Sequence, residues 1–118
     1  MREIETFVAY IFFVITGERK SHYTIKAFEQ TTSQGNDFYK QLNKLVEQGH
    51  ICEAENIIFE FIDKKYRNVL EAAVLFYSDI NQLTNEELEN CNFSREEIME
   101  GLCNVCDAYG IQYDVFEL

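Results

Sequence analysis

Residues 42–62 read LNKLVEQGHICEAENIIFEFI, and two apolar patterns of helical spacing meet there at a single turn. Before the turn the apolar residues fall at Phe38, Leu42, Leu45 and Val46. After it they fall at Ile51, Ala54, Ile57, Ile58, Phe61 and Ile62. Steps of three and four place each set on one face of an α-helix. Gly49 stands where the first pattern stops, and a residue free to take positive φ can end a helix there without a Cβ clash. So short a link makes the two helices run antiparallel and bury their stripes against each other.

Within this hairpin, Phe38, Leu45, Gly49 and Ala54 resemble the aromatic, large apolar, turn-glycine and small-residue positions of a tetratricopeptide repeat. Leu42, Phe61 and Tyr66 depart from it, standing where glycine, alanine and proline are usual. No second copy follows about 34 residues on, since Leu83 and Leu88 occupy the places where Gly49 and Ala54 would recur. The resemblance covers about a quarter of the chain and implies one tetratricopeptide-like hairpin, not a repeat array. The stretches AENIIFEFI, LFYSDINQL and NFSREEIMEGL are similar to small bacterial helical proteins of this form, a likeness that carries no catalytic residue with it.

The chain has 118 residues, room for a single helical domain over 1–118 with a core that needs no metal or disulfide. Apolar residues make up 47% and proline is absent, which removes the strongest helix breaker. The net charge of -11 lies in one half: residues 1–50 balance six bases with six acids, whereas residues 51–118 set four bases against fifteen acids. Such a surface repels phosphate backbones and anionic lipid, so nucleic acid is not expected as a partner. The acids either serve solubility or form a patch that docks a basic protein segment.

The apolar run over residues 7–15 is nine residues long, well short of the roughly 20 that cross a bilayer. Glu3 and Glu5 spoil it as a signal sequence, and no small-x-small cleavage site follows at Gly17-Glu18-Arg19. A cytoplasmic address with reduced thiols is expected. Residues 4–16 read as a first helix, apolar almost all round, which the core is expected to enclose. The alternative is an open face that seams a homodimer or takes a partner's helix.

Residues 23–31 predict a short second helix carrying Ile25, Ala27 and Phe28, followed by a turn cluster over 32–36 with Asn36 or Asp37 as the next N-cap. After the hairpin, Lys64, Lys65 and Arg67 form a basic cluster suited to the negative end of a helix. Residues 68–82 predict a helix with Val69, Leu70, Ala73, Phe76, Tyr77, Ile80 and Leu83 on one face. Thr84 with Glu87, and Ser94 with Glu97, have the form of capping boxes, the second with Phe93 and Ile98 as a hydrophobic staple. The last helix keeps Ile98, Leu102, Val105 and Tyr109 on one side, with Gly101 and Ala108 flattening a flank and Gly110 ending it. The tail over 111–118 is left open between an extended segment and a last turn.

Few residues suggest chemistry. Cys103 and Cys106 form a CxxC pair, but in the third turn of a helix with acids beside it, whereas a reactive thiol sits at a helix N-terminus. A closed zinc site wants four ligands; Cys52, Cys91 and His50 complete one only if the hairpin turn reaches the last helix. His22 and His50 fall on turns, and the carboxylate pairs Glu96 with Glu100 and Glu86 with Glu89 project from polar faces. There is no phosphate-cradling glycine loop and no nucleophile elbow.

The expectation is an all-α, single-domain bundle of five or six helices, without a cofactor and not an enzyme. Its leading function is a protein-interaction or accessory module of the bacterial cytoplasm. Tyr66, Phe76, Tyr77 and Tyr109 are the candidate aromatic anchors of a groove, with Glu96, Glu97 and Glu100 as a rim that steers a basic partner. The alternatives are a thiol- or zinc-dependent regulator using Cys91, Cys103 and Cys106, and a subunit whose first helix inserts into a partner chain.

Overall fold

The computed structural model describes residues 2–16 and 36–113, and the helical spacing of the sequence appears there as six α-helices with no strand among the described residues. They are α1 (Arg2–Thr16), α2 (Asp37–Glu47), α3 (Ile51–Phe61), α4 (Arg67–Ile80), α5 (Asn85–Asn90) and α6 (Arg95–Tyr109), with a 3-10 turn over Ile62–Lys64. The fold is an all-α bundle. The second helix expected over 23–31, and the tail beyond 113, lie outside the described residues. None of the described helices is long and apolar enough to cross a membrane.

Helix ends follow the local chemistry of the sequence. Asn36 caps α2: its side-chain oxygen accepts from the Tyr39 amide at 3.0 Å, and its Nδ2 donates to the Asn68 carbonyl at 2.7 Å, which ties that end to the start of α4. At the other end Gly49 takes φ +82°, and the amides of Gly49 and His50 donate to the carbonyls of Val46 and Leu45. These are the two closing bonds of a Schellman motif. Asn92 and Gly110, also at positive φ, end α5 and α6 in the same way, with Phe93 bonding back to Leu88 and Ile111 to Cys106. The capping box of Thr84 and Glu87 is complete. Ser94 caps α6, although Glu97 answers its hydroxyl and not its backbone amide.

The core is laid out around α4, which touches α1, α2, α3 and α6. Six consecutive residues, Ala72 to Tyr77, are buried, together with Val69, Leu70 and Ile80. A helix covered on every side sits in the middle of a bundle. The fully enclosed position expected of the first helix therefore belongs to α4. On α1, Ile4, Phe7, Val8, Ile11 and Phe12 are buried, while Phe13 and Val14 are each 41% exposed. Ala72 and Ala73 give α4 its advantage, since small residues let neighbouring helices approach.

Two arginines join helices at their ends. Arg95, at the start of α6, donates to the carbonyls of Asn81 and Leu83 and to the Asn81 side-chain oxygen, closing the C-terminal end of α4 with a cation. Arg67 belongs to the basic cluster read as closing its own helix. It begins α4 instead, pairs with Glu71 at 3.1 Å, and donates to the Ile15 carbonyl near the end of α1. The cation meets a helix terminus, but one brought to it by tertiary packing.

Candidate functional site

A cleft opens between α3 and α6, and it begins with a missing side chain. Gly101 faces Tyr77 of α4 so closely that a Cβ there would lie 2.2 Å from the tyrosine hydroxyl and 2.4 Å from Cζ. Tyr77 is fully buried and packs edge to face on Phe76, with centroids 4.9 Å apart. Its ring passes beneath Gly101, and its hydroxyl donates to Oε2 of Glu55 on α3 at 2.6 Å. A buried phenol thus spans from the central helix to a carboxylate at the edge of the fold.

Around that carboxylate the cleft holds about 130 Å³, lined by Glu55 and Phe59 of α3 and by Glu97, Glu100, Gly101 and Asn104 of α6. Helical spacing explains the set: Glu55 with Phe59, Glu97 with Gly101, and Glu100 with Asn104 are each four residues apart and share a face. Half-buried Glu55 is held above the ordinary glutamate range, chiefly by burial; the Tyr77 hydrogen bond pulls the other way, and the charges of Glu97 and Glu100 add to the rise. Burial, then Glu55, raises Tyr77 as well, so its proton stays on the phenol. The ion pairs among the described residues, Lys40 with Asp37 and Arg67 with Glu71, lie elsewhere.

The residues expected to line one groove are distributed differently. Phe76 and Tyr77 are 1% and 0% exposed, so neither side chain is a surface anchor; Tyr77 reaches the cleft only through its hydroxyl. Tyr66 is 55% exposed, and its carbonyl accepts from the Tyr109 hydroxyl at 2.7 Å, which pairs these two with each other; neither lines the cleft. Glu97 and Glu100 line the cleft and Glu96 does not. Sequence reading missed Glu55, Phe59 and Asn104. The signal for them is thin, since Glu55 sits on the flank of the hairpin's second helix; Gly101 stands out in the sequence as a flat place on the last helix, but without Tyr77 beneath it.

All four cysteines are free: Cys52 exposed, Cys91 and Cys103 half-buried, Cys106 buried. They fall into two pairs. Cys91 lies by the hairpin turn, its Sγ 3.9 Å from where a Gly49 Cβ would be, and Cys52 on the first turn of α3 is its neighbour. Cys103 and Cys106 lie about 12 to 17 Å along α6 at 1.5 Å per residue, beside Tyr113. Cys91, Cys103 and Cys106 are thus not drawn together, and among the described residues no group of three His, Cys, Asp or Glu is placed to hold a metal. Burial pushes the Cys106 thiol up to about 12, and burial with nearby acids raises Cys103 and Cys52, so these thiols stay protonated near neutrality. His50 is exposed at the start of α3 and makes no capping bond; His22 lies outside the described residues.

A family profile described as "Family of unknown function (DUF6483)" matches residues 1–110. The chain belongs to the DUF6483 family. That match takes in α1 through α6, and so every residue lining the cleft belongs to the part of the chain that the family describes. No curated protein and no solved structure matches the chain.

Proposed function

We propose that this member of DUF6483 is a non-catalytic, cytoplasmic protein-interaction module whose α3–α6 cleft receives a basic segment of a partner protein. The observation that carries the reading is the combination in one cleft of three carboxylates, the Asn104 amide and the Phe59 ring, with no Lys or Arg ion-paired to them among the described residues. Carboxylates that fold without a counter-charge suit a partner that brings one, and Phe59 gives the aliphatic stem of a lysine or arginine something to lie against. The arrangement offers little for catalysis. General acid-base work needs an acid and a base within reach of a bound substrate, and this narrow cleft has three like charges and a phenol whose proton is held fast.

Fluorescence anisotropy with a labelled Lys- and Arg-rich peptide tests the reading. Binding should weaken with added salt and fall by about tenfold in Glu97→Gln/Glu100→Gln, as losing about 1.4 kcal/mol of charge pairing implies. An acidic peptide of equal length should not bind. Affinity indifferent to salt, or unchanged in the double variant, would end the proposal.

A further inference from the structure

We propose that the seam between α3 and α6 is a self-complementary docking surface, on which a second copy of this chain lies antiparallel so that the turn over Lys64, Lys65 and Tyr66 of each copy meets the acidic cleft of the other. This names the partner of the cleft, and so rests on the reading above.

The seam has two ends of opposite charge. At the first lies the cleft, where Glu55 of α3 meets Glu97 and Glu100 of α6. Beyond Phe59 and Asn104 the two helices stay together: the 3-10 turn that extends α3 touches α6, and the Tyr66 carbonyl that follows it accepts from Tyr109, the last residue of α6. The helices are therefore parallel, start beside start and end beside end. Lys64 and Lys65 mark the second end, both exposed, and the turn is net positive even with Asp63 before them. Neither these lysines nor the cleft's carboxylates belong to an ion pair among the described residues.

Within one copy the two ends cannot answer each other. At roughly 1.5 Å per residue in α3 and 2.0 Å in the 3-10 turn, Glu55 and Lys64 stand about 15 Å apart along the axis, farther than a lysine side chain reaches. A two-fold axis across the seam reverses its direction, so the lysines of each copy come over the carboxylates of the other and the same contact is made twice. The midpoint between Glu55 and Lys64 falls near Phe59, which brings the half-buried Phe59 rings of the two copies together at the axis.

Tyr66 adds the second apolar element. Its carbonyl accepts from both the Tyr109 hydroxyl and the Leu70 amide, while its side chain is the most exposed of the large apolar ones among the described residues. A ring whose backbone is already held loses little freedom when it docks. An unrelated basic partner would use the acidic end alone and leave the lysines and Tyr66 unused. A second copy uses both ends, because an isologous interface needs its two complementary halves on one chain.

Sedimentation equilibrium of the full chain and of two charge-reversed variants tests the pairing. The parent should pass from one-chain to two-chain mass as concentration rises, and stop there. Lys64→Glu/Lys65→Glu and Glu97→Lys/Glu100→Lys should each weaken the dimer by about tenfold per contact, about a hundredfold in all. Mixed in equal amounts the two should pair with each other, since each reversed turn then meets a reversed cleft, and native mass spectrometry should find one of each. Tyr66→Ser, which changes no charge and keeps the backbone carbonyl, should weaken the dimer as well. Chains of net charge -11 repel at range, so salt acts on both terms and the mixing experiment carries the decision. A parent that keeps one-chain mass into the millimolar range, a mass that grows past two chains, or reversed variants that fail to pair when mixed overturns the proposal. The labelled basic peptide separates the two readings: its binding to a parent of one-chain mass removes only the second copy as partner, and a one-chain parent that binds no peptide loses both.

Discussion

Replacing Gly101 with alanine puts two physical effects in opposition, and the structure decides between them. In an exposed helix interior the change would stabilise by about 1 kcal/mol, because glycine gives up more backbone freedom on folding than alanine does. Here the new methyl would stand 2.2 Å from the Tyr77 hydroxyl, 2.4 Å from Cζ and 2.6 Å from Cε1. Two atoms of a rigid, enclosed ring and the hydroxyl fixed to it cannot yield as a flexible chain end would, so the ring must tilt or α6 must lift from α4. Overpacking of this kind costs about 1–3 kcal/mol. A tilted ring also stretches the bond to Glu55, worth at most about 1.5 kcal/mol at a half-exposed carboxylate. Set against the helix gain, the net loss is about 2 kcal/mol, a fall in Tm of roughly 6–10 °C for a chain of this size. Urea denaturation followed by circular dichroism gives the free energy directly. Tyr77→Phe should not relieve the clash, since Cζ and Cε1 remain, whereas Tyr77→Leu should make Gly101→Ala neutral or stabilising on that background. A single Gly101→Ala variant as stable as the parent would refute the packing argument, whatever the double variants showed.

Arg95→Ala should destabilise by about 2–3 kcal/mol, because the guanidinium serves two carbonyls and a side-chain amide at the end of α4; Arg95→Lys keeps the charge without the fork and should recover less than half in the same urea assay. Glu87 is held below the ordinary glutamate range by the backbone bond from Thr84 and then by its hydroxyl, so its contribution is present above the unfolded pKa and is lost as pH falls through the lowered one. Melting of Glu87→Gln should lack that part of the acid limb, and an acid limb identical to the parent's would contradict it. Iodoacetamide near pH 8, read by mass spectrometry, should label exposed Cys52 first, more slowly than free cysteine, and leave Cys106 unlabelled until the chain unfolds.

How much of this was legible in the sequence depends on whether the determining interaction was local. Gly49, Thr84 with Glu87, Ser94 and Gly110 mark helix ends through bonds that span three to five residues, and a linear reading reaches that far. The hairpin's buried residues Leu42, Ile51, Ala54, Ile58 and Ile62 follow from spacing for the same reason. Tyr39 escaped that reading because an aromatic off the stripe can still be buried when its hydroxyl finds a partner, here Asp79 on α4. The hairpin's two stripes are the cleanest in the sequence and draw a linear reading towards them. A helix buried all round has no stripe, and the unbroken run from Ala72 to Tyr77 hid the element on which the others pack.

The cleft was the least legible part, and Tyr77 shows why. By composition it is one tyrosine among seven, on a helix read as having a buried face. Its role is set by two partners, Glu55 some twenty residues before it and Gly101 a similar distance after, and neither is a neighbour in any helical period. Read alone, Gly101 is a flat place on a helix and Glu55 one of twenty-one acids. Brought together, they turn an enclosed ring into the means by which α4 reaches the rim carboxylates. The charge on that rim and the packing beneath it are thus coupled through one hydroxyl. Gly101→Ala should therefore shift the amide resonances around Glu55 on α3 as well as those of α6, and a perturbation confined to α6 would show that the hydroxyl does not carry the coupling.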